Sequence, residues 1–337
     1  MTLIQYQKLP ATEKRIYSEL KTAIENLRFT VTFYGVSNST VSRALDALLD
    51  DCPEFFWVSG SVKYKWHMQG SAILDITCEL ETYDNIRPDE IRLMQAKFNA
   101  TVRDIVVRAR QYKTHFQRIL YVHDYIVDTT DYLLGAPMQF NAYGCLVNHR
   151  AVCAGYAKAF QVIMNILGYE CGYVRGSDLD GTSIHSKHAW NYIKIENDYY
   201  FIDLTWDDPK VEKYSANTLN SNKTRHYFCI SDQELSLTHR ILKKYDCPSC
   251  KGTKYNYYVY KNYFLTTYSF SAVRRIAMEQ LRVRKKFSVK FACAQEVARA
   301  EADLIENQKV YDIPGVTDKI AYSISKSGLI LTVENRL

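Results

Sequence analysis

Three pieces of sequence decide the fold: Ala151-Val152-Cys153-Ala154-Gly155-Tyr156-Ala157-Lys158-Ala159-Phe160, then His188-Ala189-Trp190-Asn191, then Tyr200-Phe201-Ile202-Asp203-Leu204-Thr205-Trp206. The first predicts a helix over 152–167 that begins at Cys153. The thiol then sits where free backbone N–H groups and the positive helix end favour a thiolate. The second opens a strand over 188–195, and the third lies on a strand over 199–205, joined by the turn Glu196-Asn197-Asp198. Adjacent antiparallel strands set residues side by side, so the His188 imidazole and the Asp203 carboxylate can hydrogen-bond. The carboxylate would fix the ring tautomer, and the imidazole would hold the thiolate and later deliver a proton.

These pieces, in this order and spacing, resemble the transglutaminase-like superfamily in its bacterial form, with a Val-Cys-x-Gly-Tyr-Ala helix, a His-Ala-Trp-Asn strand and an Asp-x-Thr-Trp strand. The resemblance covers roughly 115–210, including Tyr121-Val122-His123-Asp124-Tyr125-Ile126-Val127 and Asn141-Ala142-Tyr143-Gly144-Cys145-Leu146-Val147, and extends weakly to Asp51-Cys52-Pro53-Glu54-Phe55-Phe56-Trp57-Val58. It implies an α+β protein with a papain-like transglutaminase core: Cys153 as nucleophile, His188 as base and acid, Asp203 as orienting residue. It also implies acyl transfer on protein or peptide amides through a Cys153 thioester. Hydrolysis in the manner of a cysteine protease is preferred to glutamine cross-linking or deamidation by the same triad. A non-catalytic protein-binding module retaining the fold is the rival of another class. No cofactor is needed for this chemistry, and no calcium loop is evident.

Around the triad the sequence leaves choices open. The Cys153 N–H is one natural oxyanion donor, and Gln139, Asn141 and Tyr143 are candidates for the second. Trp190 and Trp206 either wall the cleft or fill the core. His185 is a rival base in the polar run 182–187, and Cys145 and Cys171 read as packing residues. Cys229, His239, Cys247 and Cys250 are ligand types that zinc accepts, but their spacing matches no standard zinc pattern, so no metal is expected.

Working outward, three parts are expected: an N-terminal helical and β-meander region (1–112), the catalytic core (113–245) and a basic, Tyr-rich C-terminal α/β segment (246–337). Helices are expected over 11–28, 39–50, 88–112 and 114–128, with a β-meander around 56–77. Beyond 246 come a Tyr-rich hairpin (255–260 and 263–268), a helix near 271–282, a strand at 287–292 and a helix at 294–307. Gly35-Val36-Ser37-Asn38-Ser39-Thr40 and the residues after it look like the turn and recognition helix of a LacI-type repressor. A strand-like run precedes them, however, so a Ser-capped helix is the expectation and no nucleic acid partner is assigned.

The chain of 337 residues carries a net charge of +6 with 47% apolar and 24% charged residues, which excludes global disorder, collagen and coiled coil. From Lys251 onward there are 15 basic and 8 acidic residues, so the positive charge belongs to the last quarter. Arg282-Val283-Arg284-Lys285-Lys286 there could meet an anionic or protein partner, or sit on a solvated helix end. No run of about 18 apolar residues suggests a membrane span. The start, Met1 to Tyr17, lacks a basic n-region followed by an apolar one, so a cytoplasmic location is expected, or a secreted one if Met1 opens a trimmed chain. Nine scattered cysteines read as thiols, not a disulfide framework.

Overall fold

The computed structural model describes residues 3–70, 72–179, 187–208, 223–242 and 247–336. The N-terminal part holds helices α1 (Ile4–Lys8), α2 (Ala11–Glu25) and α3 (Asn38–Asp51), strands β1 (Thr30–Tyr34), β2 (Val58–Gln69) and β3 (Ala72–Thr82), and the long helix α4 (Pro88–Arg110). Helix α2 buries Ile16, Leu20 and Ile24 at helical spacing, and α3 buries Val41, Ala44, Leu45 and Leu48. The Ser37 hydroxyl caps α3 by accepting the Thr40 N–H, and strand β1 precedes it, so the repressor-like motif is a capped helix following a strand. The expected meander is instead a three-stranded antiparallel sheet in the order β1-β3-β2. Its third strand comes from before α3, so the sheet closes around a helix, which a local alternation of apolar residues cannot reveal.

The central part begins with α5 (His115–Thr129), followed by the two-residue strands β4 (Asp131–Tyr132) and β5 (Arg150–Ala151), which flank α6 (Ala142–Leu146). Helix α7 (Cys153–Ile166) follows directly and lies against an antiparallel sheet in the order β8-β7-β6-β9, built from β6 (Cys171–Asp178), β7 (Lys187–Ile195), β8 (Asp198–Ile202) and β9 (His239–Ile241). Two expectations change here. The strand expected at 199–205 ends at Ile202, because Asp203 turns the chain into the short helix α8 (Leu204–Asp207) by accepting the N–H groups of Thr205 and Trp206. Strands β6 and β9 escaped the sequence reading. Residue 185 lies outside the described residues, so the rival base His185 has no placement.

A short helix α9 (Asp232–Leu235) precedes β9, and the C-terminal part holds α10 (Tyr257–Tyr260), β10 (Phe264–Leu265), α11 (Phe270–Leu281), β11 (Lys286–Phe291), α12 (Ala294–Glu301), β12 (Ile320–Ile324) and β13 (Ile330–Asn335). The expected Tyr-rich hairpin is helical instead. Asn256 caps α10 at the Tyr258 N–H, Tyr257 and Tyr258 are buried, and Tyr260 stacks on Phe116 of α5 with ring centroids 3.7 Å apart. Tyr255, Tyr257 and Tyr258 thus belong to the core, and the more exposed Tyr260 joins α10 to α5 at its edge. A four-stranded sheet, β10-β11-β13-β12, completes this part. The basic run 282–286 links the end of α11 to β11 and is largely exposed, as suits cations at a helix C-terminus. One continuous apolar core runs from Ile16 through Phe56, Ile119, Phe160 and Val289 to Val333. Among the described residues, no helix is long and apolar enough to cross a membrane.

Candidate active site

Each motif residue has a local physical task. Gly155 is needed because a Cβ there would lie 2.6 Å from the Gln139 carbonyl and 2.7 Å from the Ala151 Cβ, so only glycine lets the start of α7 press into this turn. Tyr156 is buried and donates to the Asp208 carboxylate (2.7 Å) and to the Thr130 carbonyl (3.0 Å), tying α7 to the segment after Asp203. The Asn191 amide donates to the carbonyls of Ala157 (3.0 Å) and Gly172 (3.2 Å), stitching β7 to α7 and β6. Ala157 and Ala189 pack with Tyr173, Cys153 and Ala154, so small side chains let the helix approach the strand closely.

Cys153 is the first residue of α7 and is partly accessible. At the start of a helix the positive end of the dipole favours a thiolate. His188, at the start of β7, lies close enough to the Cys153 thiol for the two to interact electrostatically. Its Nε2 lies 2.5 Å from Asp203 Oδ2, which leaves Nδ1 for the sulfur. Burial works against charge on His188, but Asp203 and Cys153 outweigh it and push the ring up to about 10. Burial likewise opposes charge on Asp203, yet His188 and His239 hold its carboxyl far below the usual range. Cys153, His188 and Asp203 thus lie together in the structure.

His239, on β9, was missed as a neighbour of this group. Its Nε2 lies 3.1 Å from the same Asp203 Oδ2, and its Nδ1 lies 2.8 Å from the Thr238 hydroxyl. Both ring nitrogens are therefore engaged, and His239 does not join Cys229, Cys247 and Cys250 in a zinc set. Cys250 instead donates to the Pro248 carbonyl, and burial pushes the Cys229 thiol far up. His188, Asp203 and His239 do bring three ligand atoms within 4.8 Å of one another. Zinc bonds of 2.0–2.2 Å would hold tetrahedral ligand atoms roughly 3.4 Å apart. The 2.5 Å spacing of His188 and Asp203 is that of a direct charge-assisted hydrogen bond, too close for two ligands of one ion.

Aromatic rings enclose the pair of imidazoles. Trp190 is buried with its ring 5.6 Å from His188, whereas the partly exposed Trp206 lies 6.0 Å from His188 and 4.4 Å from His239. Trp190 is therefore core and wall together, and Trp206 a wall. Lys326, on the turn between β12 and β13, covers the Trp206 ring at 4.4 Å. Beside it opens a cleft of about 240 Å³, lined by Trp206, Asp208, His226 and Tyr227 on one side and by Ser323–Lys326 on the other.

Of the three candidates for a second oxyanion donor, Tyr143 is excluded, because its ring packs against Phe56 (4.8 Å) and Phe98 (6.5 Å) in the core. Asn141 is buried as the cap of α6, accepting the Gly144 N–H. Gln139 adjoins the start of α7, its carbonyl accepting the Val152 N–H and its Oε1 accepting the Gly135 N–H, so its amide NH₂ is the nearby donor left. Cys145 and Cys171 are fully buried with thiols pushed up by burial, Cys145 to about 12, as packing residues should be.

A thiol at the start of a helix thus stands beside a histidine on the sheet and an aspartate just past the end of the adjacent strand. Residues 101–204 match the model of the Transglutaminase-like superfamily, and this part of the chain is a core of that kind. Among solved structures, the chain is similar to one described as a TGase, with 12% identity over 59% of this chain and 54% of that one and a TM-score of 0.30. The chain thus spans about half the length of that protein. It is similar also to a Cytophaga hutchinsonii protein described as a proposed cysteine protease (12% identity, 58% of this chain and 81% of that one, TM-score 0.30) and to menin (17% identity, 41% and 28%, TM-score 0.26). Comparison with curated proteins gave no match.

Proposed function

We propose that the protein is a thiol enzyme that hydrolyses amide bonds in proteins or peptides, with Cys153 as nucleophile, His188 as proton carrier and Asp203 as its anchor. The observation that carries this reading is the buried His188–Asp203 pair, 2.5 Å apart, beside the partly accessible Cys153 at the start of α7. In the first half-reaction the Cys153 sulfur bonds to the amide carbonyl carbon. The Cys153 N–H and the Gln139 amide receive the negative oxygen, and the C–N bond breaks as His188 gives its proton to the leaving amine. In the second, water attacks the thioester while His188 takes its proton; the C–S bond breaks and the acid departs.

Two measurements test this. Iodoacetamide at neutral pH, read by peptide mass spectrometry, should label Cys153 ahead of the buried thiols; equal labelling removes the nucleophile. Incubation with a peptide library should give cleavage that the Cys153→Ala variant lacks. A +1 Da shift, or incorporated amine, would instead assign deamidation or cross-linking to the same residues, and no product from any library would favour a binding module.

A further inference from the structure

Asp203 is more heavily bonded than a His–Asp pair requires. Its Oδ1 accepts the N–H groups of Thr205 (2.9 Å) and Trp206 (3.2 Å), and its Oδ2 faces both His188 (2.5 Å) and His239 (3.1 Å). Four donors saturate one carboxylate. The second histidine is not incidental filling: it is fully buried, enters from β9 at the far edge of the sheet, and has its other nitrogen set by Thr238. A carboxylate oxygen only accepts, so the His239 proton facing Asp203 sits on Nε2; in the neutral ring Nδ1 then accepts from the Thr238 hydroxyl at 2.8 Å, in preference to that hydroxyl's longer contact with the Leu235 carbonyl (3.5 Å).

We propose that His239 is a positioning residue that stays neutral and shares Asp203 Oδ2 with His188, thereby limiting how tightly Asp203 holds the His188 proton. The inference rests on the reading of His188 as the proton carrier. Two N–H donors on one oxygen compete: each draws charge that the other would otherwise use. A carboxylate given wholly to His188 would hold the imidazolium more firmly still, whereas a proton carrier works better the nearer its affinity lies to the operating pH. Two imidazoles on one carboxylate also repel when both are charged, so only one carries the proton. Burial and the charge of His188 pull His239 down, while Asp203 pushes back less strongly. The other titratable or charged groups around the pair, among the described residues, are Cys153 on α7, Asp178 on β6, Tyr227 and, across Trp206, Lys326.

Nitrogen-15 NMR of the histidine side chains in the full chain tests this without any substrate. At neutral pH, His239 of the wild type should be neutral with its proton on Nε2; a charged ring, or a proton on Nδ1, overturns the proposal. In His239→Leu the His188 Nε2–H resonance should move downfield and the His188 titration midpoint should rise by roughly one pH unit, the size of one competing charged hydrogen bond. In His239→Gln, which keeps an N–H donor, both should stay near wild type. No movement in the Leu variant, movement in the opposite direction, or equal movement in both variants overturns it. Should the Leu variant not fold, the wild-type tautomer and the Gln variant still decide. Failure of Cys153 alkylation would remove the proposed function while leaving these resonances unchanged, so the two failures are distinguishable.

Discussion

Two buried carboxylate–histidine pairs stand four residues apart in this chain. Asp203 faces His188 and His239, and Asp207 faces His123 Nε2 at 3.1 Å. In the second pair, His123 Nδ1 lies 3.0 Å from Asp124, which in turn binds Arg225, while Asp207 Oδ1 accepts the Thr224 hydroxyl and the Tyr227 N–H. Burial pulls His123 down, but its two carboxylate partners outweigh it and the ring ends above the usual histidine range. The chemistry of the two pairs is nearly the same. Their surroundings differ: His188 meets a thiol in a partly open niche, whereas His123 is sealed, with Phe228 set edge-on against it. A polarised imidazole is therefore not a site in itself. In the second pair it serves as a clasp, holding the segment at 223–227 to α5 and α8.

Substitutions should separate the two pairs sharply. The largest effect is expected for Cys153→Ala, which should lower any amidase turnover by roughly a thousandfold or more while leaving the urea midpoint near wild type. His188→Gln should slow Cys153 alkylation by roughly a hundredfold, again with little change in unfolding. His123→Leu should do the reverse. It removes the partner of Asp207 Oδ2 and one partner of Asp124 from a buried network, costing about 3–5 kcal/mol in urea unfolding, with the alkylation rate of the folded fraction unchanged. A slowed alkylation rate in His123→Leu would erase the distinction drawn above.

The pH dependence of that loss has a definite sign. A histidine raised on folding contributes stability in full below its unfolded value near 6.5, and that contribution fades as pH rises through the folded value. Asp124, held far down by His123 and Arg225 against the pull of burial, contributes above roughly pH 4 and fades on acidification. The stability gap between wild type and His123→Leu should therefore be widest between about pH 4 and 6.5 and narrow on the alkaline side, as read from urea midpoints across a pH series. Asn191→Ala, which removes two hydrogen bonds between β7 and its neighbours, should cost about 2 kcal/mol. Lys326→Ala, which removes a cation from the face of Trp206, should cost at most about 1 kcal/mol.

The contrast also explains what could be read from the chain alone. Cys153, His188 and Asp203 were legible because each sits in a motif whose neighbours have local duties: glycine at a close approach, alanines under a helix, asparagine as a stitch. His239 was not. It follows Asp203 by 36 residues and meets it only through the pairing of β9 with β6. Strand β6 itself was hidden by Gly172 and Gly176, which interrupt the apolar alternation. Both are required, since a Cβ at either would strike the ring of Tyr192 or Trp190 at about 2.3 Å. Tyr173 and Val174 between them were the signal available. The tyrosines at 255–260 misled for a related reason: four tyrosines in six residues suit a strand as readily as a helix, and only the Asn256 cap and the stack on Phe116 decide.

Strand β9 is three residues long, and its ladder sets Asp178 opposite His239, Ser177 opposite Arg240 and Gly176 opposite Ile241. Side chains alternate across a sheet, so a slip of one residue would send the imidazole to the other face and present Thr238 or Arg240 to Asp203 instead. The length of chain leading into β9 therefore acts as a gauge. Inserting or deleting a single residue there alters no residue of the Cys153–His188–Asp203 line, yet exchanges a neutral donor on its carboxylate for a hydroxyl or a fixed positive charge.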